Sequence, residues 1–164
     1  MRNFGGFSIM DRIDDAILSA LQNDGRMSNK ELAAAVGLAP SSCLERVRRL
    51  QDRGVLTGFH AYVDTGALNI GLQAFVSVRL SQHSRELVES FRDHLISLRE
   101  VVGVYHVAGQ VDFMVHVAVR DAQHLRNLTL DEFTTRAEVS RLNTAIVYEH
   151  YGETAWPNYG VVDD

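Results

Sequence analysis

The stretch from Ser28 to Leu50, SNKELAAAVGLAPSSCLERVRRL, decides how the N-terminal half folds. Ser28-Asn29-Lys30-Glu31 has the Ser-x-x-Glu form, in which each side chain satisfies the other residue's free N–H at a helix start. The helix it opens runs to Val36, where Gly37 supplies the left-handed turn that stops it. Pro40 suits the approach to a further helix, and Ser41 or Ser42 is placed to cap it. In that helix Cys43, Leu44, Val47 and Leu50 share one face, and Gly54 ends it. Upstream, Ile13, Ile17, Leu18 and Leu21 keep the 3.6-residue period, with Asp11 at the capping position and Asp14 in the first turn. Helix, short glycine-containing turn, helix is the helix-turn-helix arrangement.

The second helix of such a unit fits the major groove and presents side chains to base edges. Opposite or flanking its apolar face stand Ser41, Ser42, Glu45, Arg46, Arg48, Arg49 and, a turn later, Arg53. The early members reach bases, and the later arginines neutralise phosphates. Arg46 or Arg49 matches guanine bidentately and Glu45 accepts from cytosine, each pair contributing ~1–3 kcal/mol of discrimination. Arg26 and Lys30, at the entry to the preceding helix, are further phosphate contacts. The net charge of −5 argues mildly against nucleic acid, but its distribution matters more. Residues 1–60 hold eight Lys/Arg against seven Asp/Glu, whereas residues 61–164 hold eight against fourteen. A solvated arginine face on a plain helical bundle accounts for the charge; it does not account for the capped turn.

After Gly54 the period changes to two. Phe59 to Val63 reads as a strand leading away from the helices, and Asp64 to Gly71 as a linker. From Gln73 the order is strand, helix, strand, strand, helix, strand. Ala74 to Leu80 is the first strand, and Leu87, Val88, Phe91, Leu95 and Leu98 stripe the first helix. Val101 to Ala108 and Phe113 to Val119 are strands joined by a tight turn at Gly109–Asp112. Asp121 caps a second helix through Leu125 and Leu128, and Thr144 to His150 is the last strand. The βαββαβ order predicts a ferredoxin-like antiparallel sheet with both helices on one face. Phe113, Val115 and Val117 alternate with Met114, His116 and Ala118, so neither face is strongly polar. The face without helices is expected to be covered by a second copy.

Composition excludes several classes. No apolar run approaches the ~20 residues that cross a bilayer, and Met1 to Met10 lacks the apolar core of a signal peptide. Cys43 is the single cysteine, so no internal disulfide forms and a cytoplasmic location is expected. Its place on the apolar face makes it a packing residue. The seven histidines, His60, His83, His94, His106, His116, His124 and His150, show no metal-ligand spacing. There is no phosphate-cradling glycine loop and no nucleophile motif, so catalysis, a metal and a cofactor are not expected.

Asp11-x-x-Asp14, Asp24-Gly-Arg26, Glu31-Leu-Ala33, Val36-Gly-Leu-x-Pro40-Ser41, Cys43-Leu-x-Arg-Val-Arg-Arg-Leu50 and Gly54-Val-Leu-x-Gly58 together resemble the leucine-responsive/asparagine-responsive (Lrp/AsnC) regulators. Val102-Gly-Val104 followed by Gly109-x-x-Asp112 resembles that family's sensing domain. The likeness spans nearly residues 10–150. It implies an α+β chain, with a winged helix-turn-helix joined by a strand-bearing hinge to the βαββαβ domain. It also implies homodimers that assemble further, often to octamers, with an amino acid bound at subunit interfaces.

In such proteins the Gly-x-x-Asp element belongs to the effector site, which here implies Gly109, Gln110 and Asp112. Asp112 would accept from the ligand's ammonium group, and the Gly109 turn would offer N–H groups to its carboxylate. Val104, Tyr105, Val107 and Ala108 on the preceding strand would line the side-chain pocket, with Thr144 on the last strand as a further contact. A hairpin turn alone also uses Gly and Asp. Where such proteins commonly carry a Gly-Val step before the last strand, this chain has Glu138-Val139. The expected organisation is an extension over 1–9 with Phe4 and Phe7, a DNA-binding domain over 10–60, a hinge over 61–71, a sensing and oligomerisation domain over 72–151, and a tail over 152–164. The extension and the tail segment Trp156–Tyr159 lie outside the shared pattern. The functional expectation is a regulator of transcription that binds double-stranded DNA and responds to an amino acid. Its rival is a chromosome-organising protein that binds DNA and ignores metabolites.

Overall fold

The computed structural model describes residues 10–152 and 155–160; the extension over 1–9 lies outside the described residues. The chain divides into two compact units, one formed by the segment to Tyr62 together with the C-terminal segment from Tyr151, the other by Val63–His150.

The first unit holds α1 (Arg12–Asn23), α2 (Asn29–Ala35) and α3 (Pro40–Asp52). Asp11 caps α1 by accepting the Asp14 N–H at 2.8 Å. The reciprocal box at α2 is present. Ser28 Oγ accepts the Glu31 N–H at 3.3 Å, and Glu31 Oε2 accepts the Ser28 N–H at 2.8 Å. Val36 to Ala39 make the turn, and Gly37 adopts φ 69°, a conformation that disfavours side chains. The Leu38 N–H reaches back to the Ala33 carbonyl at 2.9 Å, which closes the turn against α2. Ile17, Leu21, Leu32, Ala33, Cys43 and Leu50 form the buried core. A fully buried Leu or Ile stabilises by roughly 1.5–3 kcal/mol, so these few side chains carry most of this unit's cohesion.

Three expectations for this unit need correction. α3 begins at Pro40, capped at Ala39 without a side-chain bond, so Ser41 and Ser42 are first-turn residues rather than caps. Proline at the first helical position supplies the fixed φ and lacks the N–H that a cap would satisfy. Leu44 points away from the buried face and is 40% exposed. Phe59 to Val63 form no strand. A strand needs a ladder partner, and among the described residues no strand pairs with this segment, so its period-two pattern stands with Phe59, Tyr62 and Val63 exposed.

The second unit opens with a short 3-10 turn at Gly66–Leu68 and then builds β1 (Leu72–Leu80), α4 (Arg85–Ser97), β2 (Val101–His106), β3 (Phe113–Val119), α5 (Ala122–Leu128) and β4 (Val139–Val147). The four-stranded sheet has the order β2-β3-β1-β4 with antiparallel pairs throughout, as the βαββαβ reading requires. α5 is capped by Asp121 and continues into a wider π-type turn at Thr129–Thr134. Ala74, Val76 and Val78 of β1 and Phe113, Val115 and Val117 of β3 are buried against Phe91, Leu95 and Phe133 on the helix side. Phe91 and Phe113 meet edge to face with centroids 5.4 Å apart. The last strand starts earlier and stops sooner than the Thr144–His150 segment expected from pattern, because its register with β1 runs from Val147 opposite Gln73 to Val139 opposite Leu80. No helix among the described residues is long and apolar enough to cross a membrane.

Removing the Ser28 hydroxyl should leave an unpaired donor at the start of α2. Ser28→Ala is expected to lower stability by about 1 kcal/mol, read as a shift of the urea midpoint without change in slope.

Candidate nucleic-acid interface and effector loop

Helical spacing sets the faces of α3. Cys43, Val47 and Leu50 turn inward, with Cys43 and Leu50 fully buried. Burial raises the Cys43 thiol pKa, which keeps it protonated and inert. On the opposite side Ser41, Glu45 and Arg48 recur at i, i+4 and i+7, and all three are exposed. Leu44 and Ser42 flank this stripe. Asn29 Nδ2 donates to the Pro40 carbonyl at 2.8 Å, which ties the start of α3 to the start of α2.

Arg46 and Arg49 are committed inward. Arg46 Nη1 donates to Asp11 Oδ2 at 2.6 Å and to Asp14 Oδ1 at 2.8 Å. Arg49 Nη2 reaches both oxygens of Asp14 at 3.1 Å. Asp14 is 1% exposed, the single buried charged residue among those described. A carboxylate taken out of water is tolerated when its lone pairs are filled by charged donors, as here. The Arg46 hydrogen bond holds the Asp11 carboxyl below its ordinary range, and the two aspartates raise the Arg46 pKa in return. The sequence offers Arg46 or Arg49 as a partner for guanine, with the later arginines at phosphates. Arg46, three-quarters buried, pins α3 to α1, while Arg49 bonds the same Asp14 with half of its side chain exposed. Arg26, Lys30 and Arg53 are exposed.

The sequence treated Asp11 and Asp14 only as helix-start residues. Their i, i+3 spacing at the start of α1, matching Arg46 and Arg49 at i, i+3 on α3, was the available sign of a second role.

In the second unit, the residues between β2 and β3 form a wider loop, Val107 to Asp112, in place of a tight turn. Gly109 has φ 150°, reserved in practice for glycine. Asp112 fastens this loop to the end of β1. Its N–H donates to the Val78 carbonyl at 2.9 Å, its carbonyl accepts the Val107 N–H at 3.0 Å, and its Oδ2 accepts the Leu80 N–H at 2.8 Å. His83 Nε2 lies 2.8 Å from Oδ1, and Arg79 donates to the Gln110 carbonyl at 3.0 Å. Burial opposes ionisation of Asp112, but the Leu80 N–H, His83 and Arg79 together hold its pKa below the usual range. His83 and Arg79 were not singled out from sequence, since neither shows a spacing pattern.

The other effector candidates are dispersed. Val104 turns toward the helices, paired with buried Val115, whereas Tyr105 lies on the open face and is 54% exposed. Val107 is half-buried; Ala108, Gly109 and Gln110 are exposed. Thr144 sits on β4 at the opposite sheet edge from β2, about 14 Å away across three strand spacings. Its partner on β1 is Val76, two residues before Val78, whose carbonyl the Asp112 N–H meets. On the open face His116 stacks on Phe75 with centroids 4.9 Å apart and bonds Gln73 Oε1 at 2.9 Å. Burial and the neighbouring His150 lower the His116 pKa, which favours the neutral ring. Among the described residues no cluster of three potential metal ligands occurs.

A capped helix-turn-helix with an exposed polar stripe on its second helix, beside a separate four-stranded α+β unit, defines a two-domain DNA-binding regulator. Comparison with known proteins agrees. Residues 10–51 match the AsnC-type helix-turn-helix domain, and residues 73–157 match the Lrp/AsnC ligand binding domain. The second match takes in Trp156 and Pro157, which the sequence reading left outside the shared pattern. The chain is 42% identical to the HTH-type transcriptional regulator AldR of Mycolicibacterium smegmatis over 141 residues, covering 86% of this chain and 82% of that one. It is 36% identical to the leucine-responsive regulatory protein of Escherichia coli over 140 residues, covering 85% of each. Among solved structures, a Neisseria meningitidis transcriptional regulator in complex with L-Met superposes with a TM-score of 0.84 at 28% identity, covering 90% of this chain and 96% of that one. The chain belongs to the Lrp/AsnC family of transcriptional regulators, whose members act by binding and not by catalysis.

Two outcomes follow from this geometry. Arg46→Ala removes charged hydrogen bonds to a buried carboxylate and is expected to cost about 2 kcal/mol of stability, whereas Arg48→Ala should cost nothing measurable; chemical denaturation of both variants checks this. For Asp112 and for Glu138, whose pKa Arg136 helps to lower against burial, the folded value lies below the unfolded one. Their stabilisation is complete above the unfolded value of about 4 and is lost as pH falls through the folded value. Unfolding midpoints should therefore decline below about pH 4, and Asp112→Asn should flatten that decline.

Proposed function

We propose that the chain is a sequence-specific regulator that reads double-stranded DNA with α3 and adjusts its binding, its assembly or both in response to an amino acid. The single observation that carries this is the exposed stripe of Ser41, Glu45 and Arg48 on a helix whose other side is buried and whose orientation Asp14 fixes through Arg46 and Arg49. Ser41, Ser42 and Glu45, nearest the helix start, contact bases, and Leu44 offers an apolar contact to a thymine methyl. Arg48, Arg53, Arg26, Lys30 and the half-exposed Arg49 meet phosphates. Arg46 acts in this reading as a positioning residue.

Residues 61–71 serve as the hinge, and a second copy covers the open sheet face around Phe75, Tyr105, Met114 and His116. Dimers then read two half-sites about one helical turn apart, and further association leads to a larger particle, an octamer in this reading. The effector sits at the loop over Val107–Asp112 where subunits meet. Asp112 spends one bond on each carboxylate oxygen and keeps acceptor capacity for a ligand ammonium group, while the backbone at Gly109 and Gln110 serves the ligand carboxylate. The L-Met complex of the Neisseria regulator and the name of the leucine-responsive relative support an amino acid as the ligand class. Thr144, on the strand paired with β1, remains a further contact in this reading. A cytoplasmic location follows from this role.

The test is a gel-shift or anisotropy titration on a palindromic fragment across a salt series. Arg48→Ala should weaken binding and reduce the slope of log K against log salt by about one unit; an unchanged slope would remove α3 from the phosphate contacts. Methionine and leucine, added in turn, should change DNA affinity or particle size in the native protein and do neither in Asp112→Asn, which keeps basal DNA binding. A native protein that binds DNA and responds to no amino acid would be the metabolite-blind chromosome organiser instead.

A further inference from the structure

The chain passes between its two units twice, at Tyr62–Val63 and again at His150–Tyr151, so its last segment belongs with the helix-turn-helix. That return is fastened to α1. The Trp156 N–H donates to Gln22 Oε1 at 2.6 Å, and Gln22 Nε2 donates to the Trp156 carbonyl at 3.4 Å. One side-chain amide thereby reproduces the two-bond exchange of a ladder rung. Two residues on, Asn158 Nδ2 donates to Asp15 Oδ1 at 2.6 Å, and Asn158 Oδ1 accepts the Gly160 N–H at 2.8 Å. Asp15 and Gln22 are seven residues apart and so lie on one face of α1, two turns from each other. Pro157, between the two anchors, has no N–H left to satisfy. Trp156 is 82% exposed and Tyr159 89%, so hydrogen bonds rather than apolar burial hold the segment. Exposed bonds of this kind contribute modestly, which makes the fastening reversible.

We infer that residues 155–160 are a strap, anchored on α1 by Gln22 and Asp15, that gives the DNA-binding unit a second tether to the sensing domain. Eight residues of chain separate Val147, the end of β4, from Trp156. A unit held by one linker samples many orientations; a second short tether removes most of them. The consequence for DNA rests on the regulator reading given above. Once one α3 of a dimer is seated, a strapped second unit has a higher effective concentration at its own half-site. The strap thus favours DNA carrying two half-sites over DNA carrying one.

Trp156 is the only tryptophan, so its fluorescence reports the strap directly. Time-resolved anisotropy of the native full chain should show Trp156 tumbling with its domain over nanoseconds. The Asp15→Ala, Gln22→Ala double variant should add a large sub-nanosecond component. A chain stopped after Gly152 should bind a two-half-site fragment three- to tenfold more weakly and a single-half-site fragment unchanged. Fast motion of Trp156 in the native protein, equal affinity of native and shortened chains for the two-half-site fragment, or an equal loss on both fragments would each overturn the strap. If native protein bound neither fragment, the regulator reading would fall, and the anisotropy result alone would still decide the docking.

Discussion

The structure of the DNA-binding unit depends on one buried carboxylate. Asp14 is almost wholly removed from water, a position an unpaired charge cannot occupy, and it survives there because two guanidinium groups from α3 fill its oxygens. Apolar packing by Ile17, Cys43 and Leu50 brings α1 and α3 together but is indifferent to small rotations about the contact. The ion-paired hydrogen bonds are not: they work only in a narrow range of distance and angle. Asp11 adds to this, since one of its oxygens caps α1 while the other binds Arg46. The start of one helix and the middle of another are thus locked in register, and the outward stripe of α3 inherits its direction from that lock.

Much of the architecture was legible in the sequence, and for identifiable reasons. The capping box at Ser28 and Glu31, the glycine at 37 and the alternation along β1 and β3 are local signals, each decided within a few residues. What escaped depends on partners distant in the chain. The start of β4 is fixed by pairing with β1, some sixty residues earlier, so local pattern misplaced it. Phe59 to Val63 have the alternation of a strand but, among the described residues, no neighbour to complete the ladder. Ser41 and Ser42 looked like caps because serine usually is one; the adjacent proline had already taken the first helical position.

The site followed the same rule. Exposure of Ser41, Glu45 and Arg48 could be read from helical spacing alone. The inward commitment of Arg46 and Arg49 could not, because a stripe of arginines gives no sign of which charges meet an acid on a neighbouring helix. In the sensing unit the Gly-x-x-Asp spacing located the loop, yet its fastening to Leu80 and His83 joins residues about thirty apart. Val104 and Tyr105, adjacent in sequence, face opposite sides of the sheet, as strand geometry demands.

Placing β1 at the centre of the sheet, between β3 and β4, also orders events during synthesis. The helical core is complete once Leu56 has emerged, whereas the first strand of the sheet waits for its outer neighbour until Val147, about ninety residues later. Contacts of such long range close slowly, and domains nearer the N-terminus fold while the rest is still being made. On the ribosome, a packed three-helix core therefore precedes a sheet with one flank still unpaired, and no complete four-stranded sheet exists before nearly the whole chain has been translated.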